Sequence, residues 1–345
     1  MARLIALIQR ELRHLLAYNA SDRGWQLPLA AALASGVPLL IGAFFQRMEY
    51  AVIASLGGIV FLYTPASVLA HRMGVVMACS TGMIACFALG LLGASHPLLL
   101  IPFITVLTGL VTLVCRFYRL GPPGSLFFMM AAVIGAYMPF DLALLAHRVG
   151  LLALGSLLAT GLAFLYSVYM LRVQRHAVAS PGPAASPSLA DIGPDALVIA
   201  LAVGLSMAVA HGLGLHRPYW VPVSCLAVIQ GASFRMVWNK QAHRIVGTGI
   251  GLGLAWGLLS LHLNAWQLCA TMMALSFTIE FLVVRHYGLA VIFITPLTIF
   301  LADVGAGMAA NAPELVTARF WDTVLGSALG LLGGWVIHRR PLRFR

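Results

Sequence analysis

Three short stretches in the first half of this chain return in the second at nearly one spacing. Ala70-His71-Arg72 returns as Ala242-His243-Arg244, 172 residues later. Val114-Cys115-Arg116-Phe117-Tyr118 returns as Val283-Val284-Arg285-His286-Tyr287, 169 residues later. Arg148, followed by Gly155-Ser156, returns as Arg319, followed by Gly326-Ser327, 171 residues later. A shift shared by separate segments marks a duplicated unit. Composition says what is duplicated. Of the 345 residues, 61% are hydrophobic and 9% charged, where a soluble domain carries roughly a quarter charged residues. No water-soluble core could hide so much apolar surface. The fold class that follows is an all-α polytopic membrane protein.

Twelve apolar segments run along the chain, each near the length that crosses a hydrocarbon core of roughly 30 Å. The pattern predicts spans at 25–45, 50–70, 73–93, 97–115, 122–140 and 145–171. It predicts six more at 195–215, 218–234, 244–262, 265–284, 286–303 and 316–337. Ahead of them, residues 1–24 read as an amphipathic helix on the cytoplasmic face. Leu4, Ile5, Ile8, Leu12, Leu15 and Leu16 share one side; Arg3, Arg10, Glu11, Arg13 and His14 share the other. Ser180-Pro181-Gly182-Pro183 and Ala184-Ala185-Ser186-Pro187 give residues 172–194 linker composition. The domains are therefore a first six-span repeat at 25–171, a linker, a second repeat at 195–338 and a basic tail at 339–345. Six is even, so both halves start from the same side and should be parallel repeats about an axis along the membrane normal.

With the N-terminus inside, 17 of the 21 Lys and Arg residues fall on the inner side. Only Arg47, Arg148, Arg217 and Arg319 fall outside. The positive-inside rule then places both termini in the cytoplasm.

The net charge of +11 does not indicate nucleic acid, because the basic residues sit singly or in pairs at span ends. The five cysteines form no CxxC pair, so neither a disulfide framework nor a metal site is indicated, and no cofactor motif is present. Gly247, Gly249, Gly251, Gly253 and Gly257 lack the Lys-Ser/Thr of a phosphate loop, and read instead as helix packing. No catalytic constellation appears, so the chain does not read as an enzyme.

A duplicated membrane unit is the architecture of many transporters, with the substrate path between the repeats. Arg148 and Arg319, near the outer start of the last span of each half, could grip an anion jointly with paired guanidinium forks. The plainer alternative is that both snorkel to the interface. Asp322 follows Arg319 by one turn; it is either a local ion-pair partner or a proton-binding acid. Glu280, within an apolar run, is either a proton carrier or a partner of Arg285. Tyr219 and Trp220, at the start of the eighth span, could stack on a substrate ring or serve as interfacial anchors. His211 reads as a hydrogen-bonded core histidine.

Arg217-Pro218-Tyr219-Trp220, then Arg235 through Lys240, then His243-Arg244-Ile245-Val246-Gly247-Thr248-Gly249-Ile250-Gly251 resembles the fusaric-acid-resistance-like family, which includes aromatic acid exporters. The first half departs from the pattern: Met48-Glu49-Tyr50 stands where Tyr-Trp is expected. The resemblance implies a bacterial inner-membrane exporter of aromatic or other organic acids, with a periplasmic adaptor protein as a candidate partner. Many members carry a large cytoplasmic domain between the halves, where this chain has only its short linker. By analogy with plant anion channels of similar six-span units, the chain could be its own pseudo-dimer or a homo-oligomer.

The reading that follows is proton-driven export of small organic anions. Arg148, Arg319, Tyr219 and Trp220 would bind substrate, and Asp322 or Glu280 would carry the proton. A passive organic-anion channel shares every feature except the acid. A membrane-embedded enzyme or assembly factor for lipid-linked substrates is the alternative from another class.

Overall fold

The computed structural model describes residue 15 and residues 17–21, 23–174, 187–215, 217–305 and 312–339. Among the described residues there are twelve α-helices and no strand. The first six are α1 (Gln26–Phe44), α2 (Met48–Gly58), α3 (Leu69–Gly93), α4 (Pro97–Phe117), α5 (Leu126–Ala136) and α6 (Leu142–Gln174), with a 3-10 turn at Ile59–Tyr63. The second six are α7 (Leu189–Gly212), α8 (Trp220–Ile229), α9 (Phe234–Leu259), α10 (Ala265–Leu282), α11 (Tyr287–Gly305) and α12 (Ala312–Arg339). Most of the amphipathic segment 1–24, the centre of the linker and the tail after Arg339 lie outside the described residues.

Seven helices are long and apolar enough to cross a membrane: α1, α3, α4, α6, α7, α10 and α12. The other five expected spans fall short of that measure: α9 is not apolar enough, Tyr287–Ala302 of α11 is too short, and α2, α5 and α8 are shorter still. Helices α2, α5 and α8 have 11, 11 and 10 residues. At a rise of about 1.5 Å per residue they reach only about 15–17 Å, half a hydrocarbon core. Their apolar runs look like spans because flanking turns add length. Helix α5 starts only after Gly121-Pro122-Pro123-Gly124, where Gly124 takes φ +60, a left-handed conformation that favours glycine. A short helix at membrane depth leaves unpaired backbone groups, which is tolerated only inside protein. Burial fits this: every residue of α8, Trp220 through Ile229, is buried.

The ninth helix also differs from expectation. It starts at Phe234, ten residues earlier than the sequence suggested, because the Ser233 side chain accepts a hydrogen bond from Met236 N at 3.3 Å. The basic stretch Arg235 to Arg244 is therefore helical, and Arg244 lies three turns inside the helix.

The long helices show which face meets lipid. On α4, Leu99, Phe103, Val106, Leu110 and Val114 are exposed at three- and four-residue spacing, while Ile104, Leu107, Thr108, Thr112 and Cys115 are buried. An apolar stripe turned outward is what a bilayer stabilises.

Packing repeats itself between the halves. Helix α2 lies along α6, as α8 lies along α12; α3 packs on α5, as α9 packs on α11; α1 meets α6, as α7 meets α12. Glycines allow the close approaches. A Cβ on Gly155 would collide with the Ala54 carbonyl, and one on Gly326 with the Val221 carbonyl. Gly247 and Gly251 bring α9 against Gly288, Val291 and Thr295 of α11, whereas Gly249, Gly253 and Gly257 have open space around them.

The halves join chiefly where α4 packs on α7 and α10 on α1, with smaller contacts between α2 and α11 and between α5 and α8. Arg116 Nη1 of α4 reaches Asp195 Oδ2 of α7 at 2.7 Å, and Arg23 Nη1, just before α1, lies 4.0 Å from Glu280 Oε2 of α10. One apolar core runs through both halves, from Val60, Met83 and Leu152 to Ile199, Met207 and Leu226. At its centre α5 and α8 lie antiparallel. Tyr137 and Tyr219 approach at one end, ring centroids 6.3 Å apart. At the other, Gln230 Nε2 donates to Ser125 Oγ at 2.8 Å.

Candidate anion site

Helix α8 begins at Trp220, directly after Arg217-Pro218-Tyr219. Helix α12 runs beside it. Residues three or four apart share a helix face, so Arg319, Asp322, Gly326 and Gly330 form one stripe. That stripe faces α8: a Cβ on Gly326 would meet Val221 and Ser224, and one on Gly330 would meet Cys225 and Val228. The glycines let the helices close, and Arg319 and Asp322 are carried into the interface with them.

Arg319 is 4% exposed and Asp322 0%. The Arg319 guanidinium carbon sits 3.9 Å from the centroid of a Trp220 ring. A cation over a tryptophan face is stabilised by the ring quadrupole. The hydrogen-bonding edge is not so served: Arg319 Nε and Nη1 find no hydrogen-bond partner, nor do Asp322 Oδ1 and Oδ2 one turn away. Tyr219 stacks obliquely on Trp220, centroids 5.1 Å apart. Its hydroxyl takes a hydrogen bond from Arg217 Nη1 at 3.2 Å, and the same nitrogen reaches the Ala302 carbonyl at 3.3 Å.

A second buried arginine approaches α8 from α9. Arg244 of α9 is 5% exposed. It donates through Nη2 to Ser224 Oγ and through Nη1 to Tyr287 Oη, both at 3.1 Å. Trp220 and Ser224 lie one turn apart on α8, so Arg319 and Arg244 come to neighbouring turns of that helix. The cluster thus holds two guanidinium groups and one carboxylate inside protein. Desolvating an ion costs several kcal/mol, offset only by a well-placed partner.

The other residues singled out from the sequence lie elsewhere. Arg148 is not brought to Arg319. It is half-exposed, and its Nη1 donates to the Pro139 carbonyl at 2.6 Å. Its helix, α6, packs on α1, α2 and α3, whereas α12 packs on α7, α8 and α9. The described contacts do not join Arg148 to Arg319. In the first half the aromatic Tyr50 of α2 meets His147 instead, edge to face at 4.9 Å. Glu280 faces Arg23 rather than Arg285, which turns back to the Phe281 carbonyl and ring and to the Arg23 carbonyl. His211 is exposed at the end of α7, not a core residue.

Sequence reasoning passed over Arg244, Ser224 and Tyr287. Arg244 read as an inner-face anchor because the span was started at that residue. Its place directly before the Gly247/Gly251 packing stripe was the available signal. The five cysteines are free and buried. Among the described residues no group of three His, Cys, Asp or Glu side chains could hold a metal ion.

Residues 204–333 match the family described as fusaric acid resistance protein-like. That interval contains every member of the cluster, from Tyr219 to Asp322. The chain is also similar to a protein of Bacillus subtilis (strain 168) named as the uncharacterized membrane protein YvaC. The two are 21% identical over 467 aligned positions, covering 93% of this chain and 74% of the relative. No solved structure matches the chain.

Proposed function

We propose that this chain is a membrane transporter that exports small organic anions, aromatic carboxylates first among them. The observation that carries the reading is Arg319, buried, laid over Trp220 and lacking hydrogen-bond partners at Nε and Nη1. A carboxylate is the complement of a guanidinium edge, and Trp220 with Tyr219 offers aromatic surface beside it. The cluster is closed off, as a carrier's site is between its two openings. The family match over residues 204–333 supports the same class.

Asp322 is the proton-coupling group in this reading. It shares the face of Arg319, so its charge state and anion binding at the guanidinium are linked. Glu280 lies near Arg23 at the join between α10 and α1, away from this cluster, and serves as the second candidate. A passive anion channel would leave Asp322 without a transport role.

The matched packing of α1–α6 and α7–α12 supports two parallel repeats about an axis along the membrane normal, with the antiparallel α5 and α8 beside it. The charge bias supports cytoplasmic termini in a bacterial inner membrane. All five native cysteines are buried, so a cysteine introduced at Ser186 reports cleanly. It should resist an impermeant thiol reagent in intact cells, and labelling without lysis would refute the topology.

The deciding experiment uses purified protein in liposomes loaded with benzoate, salicylate or phenylacetate. Efflux faster than from empty liposomes, and faster still with protons supplied outside, is expected. Permeation indistinguishable from protein-free vesicles for every acid would refute the transporter reading.

A further inference from the structure

We propose that Arg244 is the second arm of the anion site, so that a monocarboxylate is held between Arg244 and Arg319 within the second half alone. The inference rests on the transporter reading and specifies where its substrate binds.

Three observations converge. First, the two guanidinium groups reach neighbouring turns of α8 from different helices: Arg319 of α12 lies over Trp220, and Arg244 of α9 donates to Ser224, which also faces Gly326 of α12. Like charges brought together inside protein repel, and an anion between them turns that repulsion into attraction on both sides. Second, most of the unpaired buried polar atoms among the described residues fall on this cluster, the others lying at Ser67, Arg72, Asn239 and Gln241. Arg244 Nε, Arg319 Nε and Nη1, both Asp322 oxygens and Ser327 Oγ of α12 are buried and find no hydrogen-bond partner. Buried polar groups are ordinarily paired, so a concentration of orphaned donors with a net positive charge points to an anion. Third, two cations face one carboxylate, so the cluster stays cationic whether Asp322 is ionised or protonated, and an anion is its complement in either state.

The first half serves as an internal comparison. Arg72, on α3, is buried as Arg244 is, and donates through Nη1 to Ser167 Oγ at 3.2 Å, with its Nε also unpartnered. The second cation is missing there, because Arg148 stays at the Pro139 carbonyl. The first half therefore holds one buried guanidinium and the second holds two, and only the second can clamp a carboxylate from both sides. Ser224, already bonded to Arg244, fixes the direction of that fork. Trp220, Tyr219 and Tyr287 border the cluster with aromatic surface, which suits an aryl substituent.

The test is equilibrium binding of radiolabelled benzoate to the purified full chain, with benzamide as its neutral counterpart. Wild-type protein should bind benzoate far more tightly than benzamide. Arg244→Gln and Arg319→Gln should each weaken benzoate about ten- to a hundred-fold and leave benzamide nearly unchanged, so the discrimination between them collapses. Arg244→Lys keeps the charge but not the fork and should lose several-fold; it decides the matter if Arg244→Gln does not fold. Arg148→Gln should bind as wild type. If Arg319→Gln loses benzoate while both Arg244 variants bind it as wild type does, Arg244 is a structural residue; the inference fails and the transporter reading stands. If Arg244→Gln weakens both probes equally, the effect is general damage and the inference fails. Wild-type protein that binds neither benzoate, salicylate nor phenylacetate overturns both.

Discussion

Arg319 sits over the ring of Trp220, its guanidinium carbon 3.9 Å from the ring centroid, and both residues are more than nine-tenths buried. One face of the cation is thus served by an aromatic ring that cannot accept a hydrogen bond, which leaves the edge of the fork available. A structural arginine would normally have that edge paired with a carboxylate or carbonyls. The contact holds the cation in place without consuming its specificity.

Trp220→Phe keeps a ring but a weaker quadrupole, and Trp220→Leu removes the ring. A desolvated cation–π contact contributes about 2 kcal/mol. Trp220→Leu should therefore destabilise the protein by at least about 2 kcal/mol, and Trp220→Phe by clearly less. Thermal unfolding in detergent measures both. Equal melting temperatures for Leu, Phe and wild type would leave the stack as a bystander.

Asp322→Asn separates coupled transport from passive conduction. Asparagine keeps the shape and loses the titratable proton. In liposomes, the variant should lose the acceleration that an inward proton gradient gives to benzoate efflux, while downhill exchange of benzoate continues. A gradient response equal to wild type would exclude Asp322 as the proton carrier and direct attention to Glu280.

Much of the architecture was legible in the sequence. The long helices α1, α3, α4, α6, α10 and α12 fall within a few residues of expectation because runs of Leu, Val and Ala that long have one stable solution in a bilayer. The half-length helices were not legible. Helix α8 stops at Ile229, with Gln230 turned to Ser125 across the chain, and an apolar run of span length does not show how much of it is helix. The same limit applies to the site. The repeat spacing makes Arg148 and Arg319 equivalent, but equivalence in sequence is not equivalence in surroundings. Arg319 has Trp220 to lie on; the corresponding start of α2 offers Tyr50, which takes His147. Arg244 was hidden by one displaced helix start, set by the Ser233 cap. Asp195, the partner of Arg116, carried no signal because its helix was expected to begin at that residue.

The Arg116–Asp195 pair fastens the first half to the second at 2.7 Å. It is partly exposed, so its contribution is modest: about 1 kcal/mol by analogy with such pairs. Asp195→Asn and Arg116→Gln should each destabilise by about that amount, and the double variant by little more than either alone. Fully additive losses in thermal unfolding would mean that the two charges do not act on one another.

Gly155 and Gly326 test the duplication at the level of packing. Each lets its long helix, α6 or α12, approach a short one, α2 or α8, so closely that a Cβ would strike a backbone carbonyl. Backbone cannot give way as a flexible side chain can, so Gly155→Ala and Gly326→Ala should each cost about 1–3 kcal/mol, the usual range for overpacking. Helix propensity acts in the opposite sense, because alanine favours a helix over glycine by about 1 kcal/mol, and a net loss is therefore diagnostic of the collision. Gly150→Ala and Gly161→Ala, on the same α6 with open space around them, should be neutral or stabilising. The four variants differ only in what the added methyl meets. Thermal unfolding that shows Gly155→Ala and Gly326→Ala as stable as Gly150→Ala would mean the long and short helices are not packed glycine to backbone, and the paired arrangement of the two halves would lose its main physical support.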